Sequence, residues 1–338
     1  MRPIGMALIG GGTIGRIHAQ CIARNKMASL RWVVSRGSTG SVALASEYGA
    51  RHATSLDAVL ADPAVEAVII ASPTDVHETH LLASIGAGKA VLCEKPLADN
   101  LERALACCRA AQGAGAVVAV GFNRRFDTAH AAIHRRRSSG EIGAVRMLHL
   151  VSRSSRSAEP DAAARAGGML RDKGTHFFDL ACWLANAEPV EVYAAGDCLV
   201  DHGYAEYGDV DTAVLTLRFH TGALATFSFS RHTAYGHDEL IEVVGSEGML
   251  ESQRQQVATV SLYRDGQIVK DGLHAGWYHR FAPTYEAQLD AFLAAVDRSH
   301  LTQAGLIDGL RAQAVAEAAV VSLAERRPVS IDNIWREI

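Results

Sequence analysis

The chain has 338 residues, room for two domains at roughly 150 residues each. Its 33 Lys and Arg stand against 37 Asp and Glu, and the resulting charge of −4 argues against a nucleic-acid-binding protein, which carries a basic surplus. With 49% hydrophobic and 21% charged residues, the composition also argues against a disordered chain. No apolar run approaches the ~18 residues of a membrane span. The six cysteines (Cys21, Cys93, Cys107, Cys108, Cys182 and Cys198) have no zinc or redox spacing, so they read as reduced thiols of a cytoplasmic protein.

Residues 4–9 form an apolar strand that runs into Gly10-Gly11-Gly12-Thr13-Ile14-Gly15, and residues 14–24 continue as a helix. A G-x-G-x-x-G set between strand and helix suits a pyrophosphate. Gly10 allows the tight turn, Gly12 lets the backbone approach the phosphate, and Gly15 lets helix and strand pack closely. Thr13 and Ile14 lie at the helix N-terminus, whose free amides face the negative charge. A second strand covers 30–34. In dinucleotide folds a ribose-binding carboxylate stands ~20 residues past the loop. Here that count reaches Ser35, followed by Arg36. A hydroxyl and a guanidinium suit a 2′-phosphate, which predicts NADP over NAD.

A helix over 42–48 and a nearly continuous apolar strand over 65–71 come next, the strand buried on both faces. Ser72-Pro73-Thr74 makes a turn before a helix over 76–87. His77, at the carboxyl end of that strand, is expected to border a nicotinamide. A strand over 90–93 ends in Glu94-Lys95-Pro96. Ligands bind outside the carboxyl ends of parallel strands, which puts Lys95 where chemistry would occur, and the bond to Pro96 is a candidate for the cis form. A helix over 101–112 and a strand over 116–121 complete a βαβ series with a parallel sheet, giving a cofactor domain over 1–121.

After Gly121 the pattern changes. A long strand covers 144–152. Residues 211–219 and 223–230 flank a His220-Thr221-Gly222 turn and alternate, with Thr226, Ser228 and Ser230 on the polar side. They form a hairpin of an open, mainly antiparallel sheet, and helices over 283–296 and 305–324 close an α+β domain spanning 122–338. Asp172 and His176 are four apart and share a face of a helix. Asp179, three further on, lies near the same face, and spacing does not choose between the carboxylates. A carboxylate on one ring nitrogen would fix the tautomer and raise the basicity of the other. Arg135-Arg136-Arg137 reads as a solvated helix end, and His130 and His134 lack an acidic third ligand, so no metal site is expected.

These pieces together resemble the Gfo/Idh/MocA family of nicotinamide-dependent oxidoreductases. The resemblance rests on GGGTIG at 10–15, EKP at 94–96, GFNRRFD at 121–127 and GGMLRDKGTHFFDL at 167–180, and it spans essentially the whole chain. Segments at 234–251, 280–292 and 308–319 are similar to the inositol 2-dehydrogenase branch. The resemblance implies an α/β Rossmann domain holding NAD(P), with Ser72, Pro73, Thr74, His77, Glu94, Lys95 and Pro96 beside the cofactor. It selects Asp172, Gly174 and His176, with Lys95 opposite, as the functional set. His176 then serves as general base, Asp172 as its orienting carboxylate and Lys95 as the stabiliser of the alkoxide. It places Asn123 and Tyr235 against the hydroxyls of a cyclic polyol such as myo-inositol, and it implies a homo-oligomer, a tetramer or dimer packed through its sheets. Departures are visible. The branch has a carboxylate where Ser35 stands, its helix reads Asp-Met-Thr-Ile-His-Asp-Phe-Asp, and the loop at 153–166 is unlike it. A sugar dehydrogenase or ketone reductase of the same family is the alternative. A non-catalytic NAD(P)-binding regulator is the alternative of a different class.

Overall fold

The first strand, β1 (Ile4–Ile9), is apolar on both faces, and its Met6, Ala7 and Leu8 are wholly buried. It feeds α1 (Thr13–Arg24), then β2 (Ala28–Val34), α2 (Thr39–Glu47), β3 (Arg51–Ala53), α3 (Asp57–Leu60) and β4 (Ala67–Ile70). A short 3-10 turn at Thr74–Val76 leads into α4 (His77–Gly86), followed by β5 (Ala90–Cys93), α5 (Leu101–Ala114) and β6 (Val118–Val120). The computed structural model describes residues 2–37, 39–156, 158–298 and 304–331. All neighbouring strands here are parallel, in the order β3-β2-β1-β4-β5-β6. That is the strand order of a Rossmann fold, whose order of winding reverses beside β1. β3 and α3 are too short for a hydrophobic period to announce them.

Past Phe122 the chain forms α6 (Thr128–Ser138), β7 (Val145–Arg153), α7 (Pro160–Arg165), α8 (Thr175–Ala185) and β8 (Pro189–Asp197). The hairpin of β9 (Thr212–Phe219) and β10 (Leu224–Ser230) follows, then β11 (Asp238–Gly245) and β12 (Met249–Glu251). An exposed two-stranded ribbon, β13 (Ser261–Arg264) and β14 (Gln267–Lys270), precedes α9 (Trp277–Arg298), α10 (Leu306–Glu325) and β15 (Val329–Ser330). The second sheet runs β12-β11-β7-β10-β9-β8-β15. Every neighbouring pair is antiparallel except β7 with β10, so the mainly antiparallel expectation holds. The β9–β10 register pairs Thr226 with Thr216 and turns Ala225, Phe227 and Phe229 inward, as the alternation predicts.

Two units emerge: residues 2–123 with Thr284–Gln313, and Arg124–Pro283 with residues 314–331. The division falls inside α9 and α10. The sequence pattern begins a helix at Pro283, because proline suits a first turn. In the structure the helix already starts at Trp277 and Pro283 sits inside it. Having no N–H, Pro283 withholds the helical bond from the carbonyl four residues back. No helix among the described residues is long and apolar enough to cross a membrane.

In the second unit, α8 lies on the inner face of the sheet. Phe178 meets Phe227 edge-on with ring centroids 5.2 Å apart, and Phe177 meets Phe229 at 5.5 Å. All four rings are buried. Phe178→Ala should therefore cost about 3–5 kcal/mol in chemical denaturation, the range for emptying a large aromatic site. A loss below about 1 kcal/mol would show that α8 is not anchored by this ring.

Candidate active site

The loop between β1 and α1 has the shape a pyrophosphate needs. Gly10 adopts φ +104°, a left-handed conformation that side chains rarely take, and a Cβ there would come within 2.3 Å of the Ala71 carbonyl oxygen. At Gly15 an added Cβ would lie 2.0 Å from the Gly10 carbonyl oxygen, so α1 can sit this close to the turn only without a side chain. Gly12 differs, because nothing lies within 4 Å of where its Cβ would point. α1 also has no side-chain cap and no acidic residue in its first turn. By contrast, Asn100 caps α5 and Asp127 caps α6. The amides of Thr13 and Ile14 thus open a helix whose positive end is left for an anion. These residues fit the pyrophosphate of a dinucleotide.

Past β2, the Ser35 hydroxyl lies 3.1 Å from His52 Nε2, and Arg36 is exposed. Past β4, the Ser72 hydroxyl lies 3.0 Å from His80 Nδ1. Burial, reinforced by His77 and Arg36, lowers the pKa of His80. His77 is itself buried. Its Nδ1 is 2.7 Å from the Pro96 carbonyl oxygen and its Nε2 is 2.8 Å from the Ser72 carbonyl oxygen. Both ring nitrogens are therefore engaged by main chain of the two loops that flank the expected nicotinamide. Lys95 follows β5 and is half-buried, and the Lys95–Pro96 bond is cis. The Glu94 carboxylate turns inward to His18 Nε2 at 2.8 Å. Asn123 is buried and donates its amide to the Thr284 hydroxyl at 2.9 Å.

Asp172, His176 and Tyr235 belong to the second unit. Asp172 does not sit in plain α-helix: Leu170–Gly174 is one turn of π-helix leading straight into α8. Wider turns of this kind recur at functional sites, and they change which side chains share a face. Gly174 has a packing reason, since a Cβ there would meet the Phe178 ring at 2.8 Å. Lys173 Nζ donates to the carbonyl oxygens of Ser152 and Ser230, at 3.2 and 2.7 Å, tying the π-turn to the ends of β7 and β10. Burial pulls its ammonium down to about 7. Asp179 is committed to Arg125, which donates to both its oxygens at 2.8 and 2.5 Å. That fork is a two-point, charge-assisted pair, and Asp172 is half-buried on the π-turn. Arg137 donates to the Trp183 carbonyl and Arg136 pairs with Glu141, so the basic triplet is not purely a solvated end. His134 stacks on Trp183 at 3.9 Å, while His130 is buried with Nδ1 3.0 Å from the Arg124 carbonyl oxygen. Among the described residues no group of three or more His, Cys, Asp or Glu could hold a metal ion.

Tyr235 projects a half-exposed ring whose hydroxyl donates to Asp238 at 3.0 Å and accepts from Arg153 at 3.1 Å. Arg153 also reaches the Ser228 hydroxyl at 3.0 Å, and Arg254 donates to Asp238 at 2.9 Å. Next to Asp238 lies a buried charge cluster that pattern reading does not find. Glu239 accepts from Arg124 at 3.4 Å and lies 3.0 Å from His237 Nε2, while Arg124 stacks over Phe281 at 3.6 Å. Burial alone would raise the Glu239 carboxyl, but Arg124 and His237 outweigh it and hold it at about 2.

Residues 4–122 match the oxidoreductase family with an NAD-binding Rossmann fold, and residues 130–251 match the GFO/IDH/MocA C-terminal domain. The chain is 35% identical over 324 residues to the inositol 2-dehydrogenase of Rhizobium meliloti (strain 1021), covering 96% of this chain and 98% of that one. It is 32% identical over 331 residues to the myo-inositol 2-dehydrogenase of Thermotoga maritima, with 97% and 99% covered. The crystal structure of a myo-inositol dehydrogenase from Corynebacterium glutamicum superposes with a TM-score of 0.91 at 32% identity, covering 98% and 99% of the two chains. A dinucleotide loop in a Rossmann unit, with a second unit of mainly antiparallel sheet, defines a nicotinamide-dependent oxidoreductase. The chain belongs to the Gfo/Idh/MocA family.

Two expectations follow. Gly12→Val should fold normally, because its side chain meets no protein atom, yet lose dinucleotide binding by blocking the phosphate. Calorimetric titration with a dinucleotide reads this, and retained affinity would remove the loop from its role. The second concerns acid stability. The Glu239 pKa is depressed on folding, so its contribution is complete above the unfolded value near 4.5 and is lost as pH falls towards about 2. The unfolding free energy of wild type should thus fall on acidification across this window, by roughly 3 kcal/mol in total. Glu239→Gln should be less stable at neutral pH and flatter across the window. A parallel decline in both proteins would contradict the assignment.

Proposed function

We propose that the chain oxidises a secondary hydroxyl of a cyclic polyol, an inositol first among them, to the ketone with NAD(P) as acceptor. One observation carries this reading: Lys95 stands at the carboxyl end of β5, in the same parallel sheet whose β1 opens the uncapped glycine loop. The named activities of the relatives support the polyol as substrate class. When bound, the nicotinamide supplies the chemistry of accepting a hydride. The chain's own residues handle the proton and the charge. His176 takes the hydroxyl proton as general base, and Asp172 orients the ring and stabilises it once charged. Lys95 donates to the substrate oxygen and stabilises the negative charge that develops there. Tyr235 and Asn123 are the contacts for ring hydroxyls in this reading.

The cofactor preference is NADP. No carboxylate follows β2 to repel a 2′-phosphate, and the exposed Arg36 is available to pair with it. The protein acts in the cytoplasm as a homo-oligomer, its copies packing through the open sheet face. Met147, Val214 and Leu224 are exposed there beside Thr226 and Ser228, which makes a mixed surface suited to a second copy.

The test is reduced-nicotinamide fluorescence on mixing a panel of cyclitols and aldoses with each cofactor. We expect turnover with an inositol, and a loss of roughly 100-fold or more in His176→Ala and in Lys95→Ala. Binding without turnover on any substrate would favour a non-catalytic regulator. Efficiency should be higher with NADP, and Ser35→Asp should move the ratio towards NAD by about tenfold or more. Unchanged ratios would overturn the cofactor preference alone.

A further inference from the structure

The residues on either side of Lys95 are each held by a buried histidine. On one side, the Glu94 carboxylate meets His18 Nε2 at 2.8 Å. His18 is wholly buried, three residues past Gly15 on α1, with its ring edge-on to Tyr285 at 5.5 Å. Gly121 makes room for this arrangement, because a Cβ there would lie 2.6 Å from Glu94 Oε2. On the other side, the Pro96 carbonyl oxygen meets His77 Nδ1 at 2.7 Å, and the same ring reaches back to the Ser72 carbonyl oxygen at 2.8 Å. His77 is 2% exposed and opens α4. Both contacts are to main-chain carbonyls, so the ring bridges the two loops.

We propose that His18 and His77 are positioning residues for Lys95, fixing the backbone on both sides of it so that its flexible side chain starts from one defined place. This rests on the reading of Lys95 as the group that meets the substrate oxygen. Lys95 has four rotatable bonds and is half-exposed, so where its ammonium stands depends on where its main chain starts. The main chain beneath it sets that starting point. A displacement of about 1 Å at a reacting group can cost on the order of 100-fold in rate. Neither histidine needs to touch cofactor or substrate to have this effect. Both act inside one unit, from the two helices that also carry the phosphate loop and the Ser72-Pro73-Thr74 turn.

The experiment is a double-mutant cycle on the full-length protein with dinucleotide and myo-inositol. His18→Leu and His77→Leu are each measured in wild type and in Lys95→Met. In wild type each should lower kcat by roughly 10- to 100-fold, and His18→Leu should change the dinucleotide Kd less than about threefold. In Lys95→Met neither should lower the residual turnover further, because the residue they position is gone. His18→Gln, which keeps a donor for Glu94, should recover most of the loss. Equal losses in both backgrounds would mean a general structural role and overturn the proposal, as would unchanged kcat in wild type. If a leucine variant does not fold, His18→Ala and His77→Gln run the same cycle, the first leaving Glu94 without its ring partner and the second unable to span both carbonyls as the imidazole does. Should Lys95→Met itself turn over like wild type, the role of Lys95 fails, an outcome distinct from failure of the positioning.

Discussion

The close seat of α1 on the turn after β1 governs much of the first unit. Gly10 and Gly15 have no side chains, and the helix starts so near the strand that one Cβ at Gly15 would collide with the Gly10 carbonyl oxygen. Two consequences follow from that single approach. The uncapped helix end leaves its amides for an anion, and one turn later His18 comes within hydrogen-bond distance of Glu94, two strands away at the end of β5. The phosphate loop and the lysine segment are therefore braced by the same helix. A change that lifts α1 off the sheet would loosen both, which links cofactor binding to the placement of Lys95 through packing alone.

The second unit solves a different problem, that of keeping charged groups near a buried sheet end. Asp238 and Glu239 start β11, where apolar residues would ordinarily pack, and both are buried. Each is matched: Asp238 by Arg254, Arg153 and the Tyr235 hydroxyl, and Glu239 by Arg124 and His237. Removing one partner from such a set leaves a buried charge uncompensated, so these residues stand or fall together. Lys173 adds a tether from the π-turn to β7 and β10, so the segment bearing Asp172 is fixed to the sheet as well as to α8.

Much of this could be read from the sequence, for physical reasons that also mark where reading stops. Long periodic elements around a glycine loop make the Rossmann unit legible, and the strand-end position of Lys95 follows from parallel topology. His18 carries a signal in its position: it sits in the buried stripe of α1 with Gly15, Ala19 and Ile22, where an imidazole needs a partner. β11 escapes pattern reading because its first two residues are acidic, and only their distant arginines explain their burial. Spacing alone cannot show that Asp172 lies in a π-turn, since the crowding of Gly174 by Phe178 is a packing fact. Nor does spacing show that Asp179 is paired with Arg125, 54 residues away in sequence. The return of α9 and α10 to the first unit is likewise hidden, because a helix that joins two units has the same period throughout.

The central claim is that the carbon bearing the substrate hydroxyl gives its hydrogen directly to the nicotinamide. Mass spectrometry of the reduced cofactor, after incubation with myo-inositol deuterated on its ring carbons, tests this most directly. The account predicts that the recovered cofactor gains a single deuterium in the nicotinamide ring. Reduced cofactor without deuterium, or with hydrogen drawn from solvent, would contradict it.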